Sequence, residues 1–286
     1  NYPTVLSHTQ AGAVVDAAWD NGLRLFDTAP LYGRGLSERR LGVALAGRDR
    51  AAMVICTKIG RRLRPSVTGQ FPPDIAASIF VDPAPFDTVF DYSYDGAMRS
   101  IEDSLQRLGT SRIDVVHIHN IDPAVHDPAT LEQMFTGCMS GAYKAMMDMR
   151  EQGVIRAIGV GNNSVQMLHR FVQAGDFDCL MMAGHYTLLD QSADQGLLEL
   201  CQQRGIGILL GAPFESGVLA TGASPTALRG YKTLDPDTFA RLQVIEQCCQ
   251  CWNVSLASAA LQFPLRHPAI ACVVPGASSA QHVLDN

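Results

Sequence analysis

Four polar residues in the first half of the chain could together move a proton. Asp27, Lys58 and His119 each end a short hydrophobic run, and Tyr32 follows shortly after Asp27. A buried lysine ammonium is costly alone, and a neighbouring carboxylate offsets that cost. The cation should in turn lower the pKa of a nearby phenol from its usual value of about 10. We therefore expect Tyr32 to exchange a proton with a carbonyl or hydroxyl group of a small substrate, while His119 orients the reacting oxygen.

The placement of these residues indicates that they share one location. In a strand the last residue lies on the same face as the residues two and four positions before it. Neighbouring parallel strands lie about 4.8 Å apart, so successive strands would bring these end groups together. Taken singly, Asp27 could cap a turn, Lys58 could extend along the surface, and His119 could be a hydrogen-bonded core histidine. Their coincidence at the same end of three consecutive strands favours a catalytic site.

Strands and helices alternate through most of the chain. The hydrophobic runs predict seven strands, namely Leu23–Asp27, Met53–Lys58, Ile113–His119, Ile155–Val160, Asp178–Met182, Ile206–Leu210 and Ile270–Val274. A first helix is predicted from a capping box at Ser7 to about Asp20. Amphipathic segments predict further helices over Met98–Leu108, Tyr143–Glu151, Val165–Ala174, Gln191–Arg204, Pro236–Cys251 and Ser255–Leu265.

This alternation predicts an α/β fold, the (β/α)8 barrel, as a single domain over residues 1–286. A barrel needs eight strands, so we expect the first strand and the last helix to be truncated in the sequence shown. A doubly wound open sheet is the alternative, but no GxGxxG fingerprint follows the first strand. Two long segments, Arg61–Tyr94 and Glu215–Asp235, follow strand ends, where barrel active sites form.

Composition narrows the class of protein. The chain has 286 residues with a formal charge of −6, and no large cluster of Lys or Arg predicts nucleic-acid binding. No apolar stretch approaches the roughly 20 residues of a membrane span. The eight cysteines are spread thinly, which is typical of a reducing compartment, and we expect a cytoplasmic monomer or small homo-oligomer with a small-molecule substrate. The cluster Cys248–Cys251 lacks a second ligand pair, so we predict no metal site, and a helix that buries two of these thiols.

Several motifs resemble those of the aldo-keto reductase family, and the likeness covers nearly the whole chain. They are "GLRLFDTAPLYGRGLSERRLG" at Gly22–Gly42, "TK" at Thr57-Lys58, "IH" at Ile118-His119, "GVGN" at Gly159–Asn162 and "VPG" at Val274–Gly276. The resemblance implies a barrel in which Asp27, Tyr32, Lys58 and His119 form a catalytic tetrad. It also implies a nicotinamide dinucleotide cofactor.

The sequence is most similar to the branch of that family formed by D-threo-aldose (L-fucose) 1-dehydrogenases and pyridoxal 4-dehydrogenases. The stretches that carry this likeness are "FDTAPLYGRGLSERRLG", "GHYTLLDQSA" and "ALQFPLRHPAIACVVPGASS". The resemblance implies oxidation of the C1 hemiacetal hydroxyl of an aldose to a lactone, or alternatively of the pyridoxal hemiacetal to 4-pyridoxolactone. Less favoured alternatives are a general aldehyde or ketone reductase that uses NADPH, and a non-catalytic cofactor-binding regulatory subunit.

The same resemblance assigns further residues to cofactor and substrate. Those expected at the cofactor are Asn162, Phe214, Ser216, Gly217, Leu219, Pro275, Gly276, Ser278, His282 and Asn286. Where related proteins carry a lysine and an arginine for the 2′-phosphate of NADP, this chain has Gly276 and His282. A 2′-phosphate prefers charge-assisted donors, so we expect NAD to be preferred, with NADP still possible. The substrate pocket is expected to include Phe90, Tyr92, His185 and Tyr186.

Overall fold

The computed structural model describes residues 4–66, 80–224, 226–230 and 232–286. Contacts divide the chain into two compact units. The first comprises residues 1–161 with 277–285, and the second comprises residues 162–276 with Asn286. The prediction of one barrel domain over residues 1–286 stays a prediction at this level.

Helices and strands alternate in the first unit. In chain order they are α1 (His8–Asp20), β1 (Leu25–Asp27), α2 (Leu36–Leu45), β2 (Val54–Ile59), β3 (Arg61–Pro65), β4 (Phe86–Phe90), α3 (Tyr94–Leu108), β5 (Ile113–His119), α4 (Pro128–Ser140), α5 (Ala142–Glu151), β6 (Ile155–Asn162), whose last residue falls in the second unit, and α11 (Ala280–Asp285). Short 3₁₀ turns cover Tyr32–Gly35 and Arg50–Ala52.

The second unit continues the alternation. Its elements are α6 (Val165–Ala174), β7 (Cys179–Ala183), α7 (Leu197–Arg204), β8 (Gly207–Gly211), α8 (Val218–Thr221), β9 (Leu228–Arg229), β10 (Lys232–Thr233), α9 (Pro236–Cys251), α10 (Leu256–Gln262) and β11 (Ile270–Val274). Strand β8 pairs in parallel with both β7 and β11, while β9 and β10 form a small antiparallel pair.

Parallel pairing in the first unit runs β1, β2, β5, β6. Asp27 stands opposite Cys56, and Lys58 stands opposite His117, two residues before His119. The three strands whose ends carry Asp27, Lys58 and His119 are therefore adjacent, as the alternation predicts. The strand interiors are buried, because helices cover a parallel sheet on its faces.

Helix boundaries follow from local capping. Ser7 accepts from the backbone N–H of Gln10, whose side chain accepts from the N–H of Ser7, which is the predicted capping box at the start of α1. The Ser93 side chain accepts from the backbone N–H of Gly96 at the start of α3, and Gly109 ends that helix in the left-handed conformation. A side chain at Gly42 would collide with the backbone of Leu108, so α2 and α3 pack closely only because this residue is glycine.

The elements differ from the prediction in several places, including α8, β9 and β10, which form within the predicted connection Glu215–Asp235. The predicted long connection Arg61–Tyr94 contains an antiparallel hairpin, β3 paired with β4, and its residues 67–79 lie outside the described part of the chain. Helix α4 was not predicted, although Leu131, Met134, Phe135 and Cys138 have helical spacing and Asp127 with Pro128 gives a helix start signal. The predicted helix Gln191–Arg204 is divided into a 3₁₀ turn at Ser192–Asp194 and the shorter α7.

Candidate active site

A buried ion pair joins the ends of β1 and β2. Lys58 Nζ lies 2.8 and 2.7 Å from the two carboxylate oxygens of Asp27, and it also donates to the backbone carbonyl of Thr28 at 2.9 Å. The side chains are 3% and 9% exposed. Burial alone would lower the pKa of Lys58, but Asp27 and Tyr32 raise it, so the amine stays charged. The pair therefore places the charged ammonium of Lys58, with Asp27 as its counter-ion, at the ends of β1 and β2.

Tyr32 lies over this ammonium. The Lys58 Nζ atom is 4.8 Å from the centre of the Tyr32 ring, and the ring of His119 meets it edge-on with centres 6.0 Å apart. The turn that carries Tyr32 requires glycine, because Gly33 and Gly35 both have positive φ, and Arg34 shares that conformation. The structure thus brings all four predicted catalytic residues together within the first unit.

The protonation of Tyr32 differs from the prediction. We expected Lys58 to lower the pKa of this phenol. Burial instead raises the pKa of Tyr32 above its ordinary value, outweighing the opposing attraction of Lys58, and the Asp27 carboxylate adds to the rise. The expectation was wrong because a cation bound to its own carboxylate acts on a neighbour as a weaker net charge, while desolvation acts in full. Tyr32 therefore holds its proton at neutral pH.

His119 is a buried imidazole that stays neutral. Burial, with Lys58 and Arg61 nearby, keeps the pKa of His119 well below its usual value. Its Nδ1 atom is buried and has no hydrogen-bond partner among the described residues, and a substrate oxygen would satisfy it. His117 is a packing residue as predicted, fully buried and bonded to the backbone of Thr57, with burial lowering its pKa to about 3.

Glu38 of α2 is hydrogen-bonded to β2, the strand that carries Lys58. Thr57, the residue before Lys58, donates to the buried Glu38 at 2.7 Å. Arg107 of α3 donates to the other carboxylate oxygen at 2.5 Å. Because this carboxylate is satisfied by two donors from different elements, it fixes α2 against β2 and so fixes the direction in which Lys58 points.

Tyr92 has a role that the sequence did not reveal. It was assigned to the substrate pocket, but it is only 6% exposed and its hydroxyl donates to the backbone carbonyl of His119 at 2.7 Å. Its ring lies so close to Gly60 that any side chain there would collide with it. Tyr92 thus supports the end of β5. Phe90, 37% exposed and stacked on Tyr92 with ring centres 6.4 Å apart, is the better placed of the two to meet a substrate.

The remaining candidates for the substrate pocket, His185 and Tyr186, are engaged within the second unit. Nε2 of His185 is 2.7 Å from the carbonyl oxygen of Asn163, and Nδ1 is 3.1 Å from Ser192 Oγ. Tyr186 is 9% exposed and packs against the rings of Phe263 and His267. Both residues make contacts that order their loop, and their place in a substrate pocket stays a prediction.

Some of the predicted cofactor residues offer backbone or amide groups. Asn162 ends β6, is 2% exposed, and its Oδ1 accepts from the N–H of Ser164 at 2.9 Å. Gly217 has a φ of +97°, and a Cβ built there would meet no atom within 4 Å. Such an open, left-handed glycine permits close approach of a ligand to the backbone. Pro275 and Gly276 follow β11, and Gly276 is equally open.

Other predicted cofactor residues are occupied by structural contacts. Leu219 is fully buried in an apolar cluster against which Phe214 packs. Ser216 accepts from the N–H of Gly230 at 3.0 Å. Glu215, next to it, is buried and bonded to Arg229 and Thr187. The side chains of this loop are therefore engaged in packing and hydrogen bonds, whereas the backbone at Gly217 has space beside it for a ligand.

The segment after β11 carries no fixed positive charge. Ser278 donates through its backbone N–H to His282 Nδ1 at 3.4 Å, and its hydroxyl lies 3.1 Å from the same atom. The last residue, Asn286, is exposed. Hydroxyls, an imidazole and backbone groups suit the two ribose hydroxyls of NAD, whereas a 2′-phosphate would want guanidinium or ammonium donors. The donor set therefore fits a nicotinamide dinucleotide.

The cysteines are all free thiols. Cys248 and Cys251 at the end of α9 are exposed and Cys249 is half-buried, so the expectation that two of the three are buried was wrong. Cys249 lies on the same face of the helix as Leu242 and Ile245, which pack on the core, and it is accordingly less exposed than Cys248 and Cys251. Within the described residues, no three His, Cys, Asp or Glu side chains are grouped as metal ligands. The helices described there include none long and apolar enough to cross a bilayer.

Comparison with known proteins identifies the group to which this chain belongs. A model of the aldo/keto reductase family matches residues 2–286. The chain is 35% identical to pyridoxal 4-dehydrogenase of Microbacterium luteolum and 37% identical to D-threo-aldose 1-dehydrogenase of a Pseudomonas species. In both cases the match covers 98% of this chain and 83% of the relative. The chain belongs to the aldo/keto reductase family.

The solved structures that resemble this aldo-keto reductase agree with that assignment. The holo form of aldo-keto reductase AKR11C1 from Bacillus halodurans superposes with a TM-score of 0.75 at 25% identity, over 98% of this chain and 81% of the other. The glycerol dehydrogenase AKR11B4 from Gluconobacter oxydans shares the fold, with a TM-score of 0.71 at 19% identity over 99% of this chain and 80% of the other. The predicted (β/α)8-barrel fold is confirmed. The protein is thus an oxidoreductase of a family that typically uses nicotinamide cofactors.

Proposed function

We propose that this aldo-keto reductase is an NAD-linked dehydrogenase that oxidises the hydroxyl of a cyclic hemiacetal to a lactone. Its first candidate substrates are aldoses of the L-fucose or D-threo type, oxidised at C1. The observation that carries the proposal is the buried Lys58–Asp27 pair with Tyr32 over the ammonium and His119 beside the ring. This group can take one proton from a hydroxyl, and the described residues include no cluster of three metal-ligating side chains.

Each residue of the tetrad has a separate task in this proposal. Tyr32 receives the proton of the hemiacetal hydroxyl, and Lys58 stabilises the phenolate that must exist beforehand. Asp27 keeps Lys58 protonated and fixes the position of its ammonium group below the Tyr32 ring. His119, neutral and with a buried unpartnered nitrogen, holds the reacting oxygen by a hydrogen bond. The nicotinamide ring, when bound, accepts the hydride from the same carbon.

We also propose the groups that hold the cofactor. Asn162 is proposed to bind the carboxamide, and the open backbone at Gly217 to approach the pyrophosphate. Ser278 and His282 are proposed for the adenosine ribose, with Pro275, Gly276 and Asn286 as backbone neighbours. The buried side chain of Leu219 and the packed ring of Phe214 hold the loop in shape. These assignments rest on the donors and open glycines described above.

A substrate panel tests the proposed reaction. L-fucose, D-arabinose and pyridoxal are offered with NAD, and NADH formation is followed together with lactone formation. We expect turnover of at least one hemiacetal. Absence of NADH from all three would contradict the proposal and leave only the family membership.

Pyridoxal is a second candidate substrate because of one feature of the site. The buried guanidinium of Arg61 lies 4.9 Å from the centre of the Phe90 ring, beside the tetrad, and Phe90 meets His126 edge-on at 4.7 Å. Aromatic rings and a cation suit a hydroxypyridine better than a neutral sugar. A pyridoxal hemiacetal would yield 4-pyridoxolactone by the same proton and hydride transfers.

Cofactor choice gives a test of the segment after β11. We expect kcat/KM with NAD to exceed that with NADP, because Gly276 and His282 supply no fixed cation for a 2′-phosphate. The double variant Gly276→Lys/His282→Arg should raise kcat/KM for NADP by about tenfold or more, the worth of a charge-assisted hydrogen bond. The conservative change Val283→Leu on the same helix serves as the control. Equal or greater efficiency with NADP in the unmodified enzyme would refute the preference.

The raised pKa of Tyr32 gives a pH prediction. Oxidation needs the phenolate, and a group with a raised pKa is protonated at every pH below that pKa. The kcat for oxidation should therefore climb by about tenfold per pH unit from neutral pH to beyond pH 10, the ordinary tyrosine value, without levelling off. Reduction of an aldehyde uses the protonated phenol and should stay flat over the same range. Steady-state rates in both directions measure this pH dependence. An oxidation rate that levels off near pH 7 would mean that Lys58 lowers the pKa of Tyr32 by more than burial raises it.

A further inference from the structure

A polar network of the second unit joins the turn after β7 to the loop that follows β8, and the proposed chemistry gives it no task. Its titratable members are His185, Asp190, Arg229 and Glu215, all of which lie within the second unit. Glu215 is 7% exposed, and its carboxylate accepts from Arg229 Nε and from the hydroxyl of the buried Thr187. Arg229 Nη2 lies 3.2 Å from Asp190 Oδ2, so two carboxylates share one guanidinium.

His185 is the end of this network that reaches the strand carrying the proposed carboxamide ligand. Its Nδ1 lies 3.3 Å from Asp190 Oδ2, and its Nε2 lies 2.7 Å from the backbone carbonyl oxygen of Asn163. A carbonyl oxygen can only accept, so Nε2 carries a proton and donates it to this hydrogen bond. Asn163 directly follows Asn162, so His185 holds the peptide next to the residue proposed for the nicotinamide.

The backbone is strained at both ends of the network. His185 has a φ of +64°, and Glu215 and Ser216 have φ values of +46° and +63°, although none of them is glycine. Residues with a Cβ seldom adopt this conformation, and it persists where the surrounding contacts fix them, often at ligand clamps. The bonds of His185 and Glu215 supply such contacts. Ser216 precedes Gly217, whose open backbone is the proposed neighbour of the pyrophosphate.

We propose that this network is a positioning device that couples the binding of the two halves of the dinucleotide cofactor. When the loop at Gly217 is ordered by a pyrophosphate, Glu215 and the guanidinium bonded to it are fixed as well. The ion pairs extend this order to His185, which then holds the peptide beside Asn162 in place for the nicotinamide. Energetic coupling between separate sites is carried by such continuous chains of ion pairs and hydrogen bonds. The inference rests on the cofactor groups proposed above and adds residues that act through them.

A comparison of two ligands tests the coupling. ADP-ribose has the adenosine and pyrophosphate of NADH but no nicotinamide, and calorimetric titration gives the dissociation constant of each. We expect His185→Leu and Arg229→Met each to weaken both ligands by about 3- to 30-fold, the range of effects along a coupling network. The double variant should lose no more than the worse single variant, because both changes break one network. His185→Gln keeps a donor for the carbonyl of Asn163 and should recover part of the loss.

Two variants of the same unit serve as matched controls. Arg204→Met removes a guanidinium that donates to the backbone carbonyl of Val172, and His169→Leu removes an imidazole from α6. Both changes leave the network intact, so neither should alter the dissociation constant of either ligand.

Hydrogen exchange of the unmodified enzyme makes the test independent of whether the variants fold. ADP-ribose should slow amide exchange in residues 162–164 and 184–193 as well as in 213–224, although it has no nicotinamide. Protection confined to 213–224, additive losses in the double variant, or a loss in His185→Leu limited to NADH would overturn the inference. Failure of the unmodified enzyme to bind either ligand would overturn it too. Failure to oxidise any hemiacetal would refute the proposed reaction alone, because binding and exchange are measured without turnover.

Discussion

Tyr32→Phe is expected to lower kcat for hemiacetal oxidation by about 10²- to 10⁴-fold, the usual worth of a positioned acid–base group. The substitution removes one oxygen and keeps the ring that covers Lys58 and meets His119. Packing and cofactor affinity should therefore change little. Steady-state kinetics, with fluorescence titration of NADH binding, measure the two effects separately.

The control for this variant is Tyr94→Phe. Tyr94→Phe also removes one hydroxyl, which donates to Asp148 at 2.6 Å from the exposed first residue of α3. Its kcat should stay within about twofold of the unmodified enzyme, as surface changes seldom reach the site. Turnover that survives in Tyr32→Phe would remove Tyr32 from its proposed task. Loss of NADH binding in that variant would point instead to a structural role.

Lys58→Met is expected to lower both the stability and the activity of the enzyme strongly. Removing one member of a buried ion pair leaves Asp27 unpaired and should lower the free energy of unfolding by about 3–5 kcal/mol. Activity should also fall to near background, because no cation remains to stabilise the phenolate of Tyr32. Urea denaturation followed by circular dichroism measures the first effect, and NADH formation measures the second.

Two further variants show whether these effects come from the pair. The double variant Asp27→Asn/Lys58→Met removes both charges and should recover much of the lost stability but none of the activity. Lys144→Met, at an exposed position of α5, removes the same charge and should change neither quantity appreciably. A Lys58→Met protein as stable as the unmodified one would contradict the buried, paired state of the lysine.

The sequence by itself determined the order of the parallel strands and their approximate bounds. Hydrophobic runs predicted all seven parallel strands, with errors of only a few residues at their ends. Local capping signals such as the Ser7 box predicted the first helix. Alternation along the strands then placed Asp27, Lys58 and His119 at one end of three neighbours, and the structure brings them together with Tyr32. These features are local or repeat with a short period, so a single sequence carries them.

The tertiary structure decided the protonation of the site and the groups around it. The sign of the pKa shift of Tyr32 depends on whether the cost of burying the phenolate exceeds the attraction of Lys58, which is already paired with Asp27. The spacing of residues along the sequence does not reveal which of the two is larger. The burial of Arg61 is likewise decided by the fold, because the sequence places this residue only at the start of a long connection. Only the hairpin formed by β3 and β4 buries it under Phe90. Desolvation and Coulomb energies arise from contacts between residues far apart in the chain, and those contacts exist only in the folded molecule.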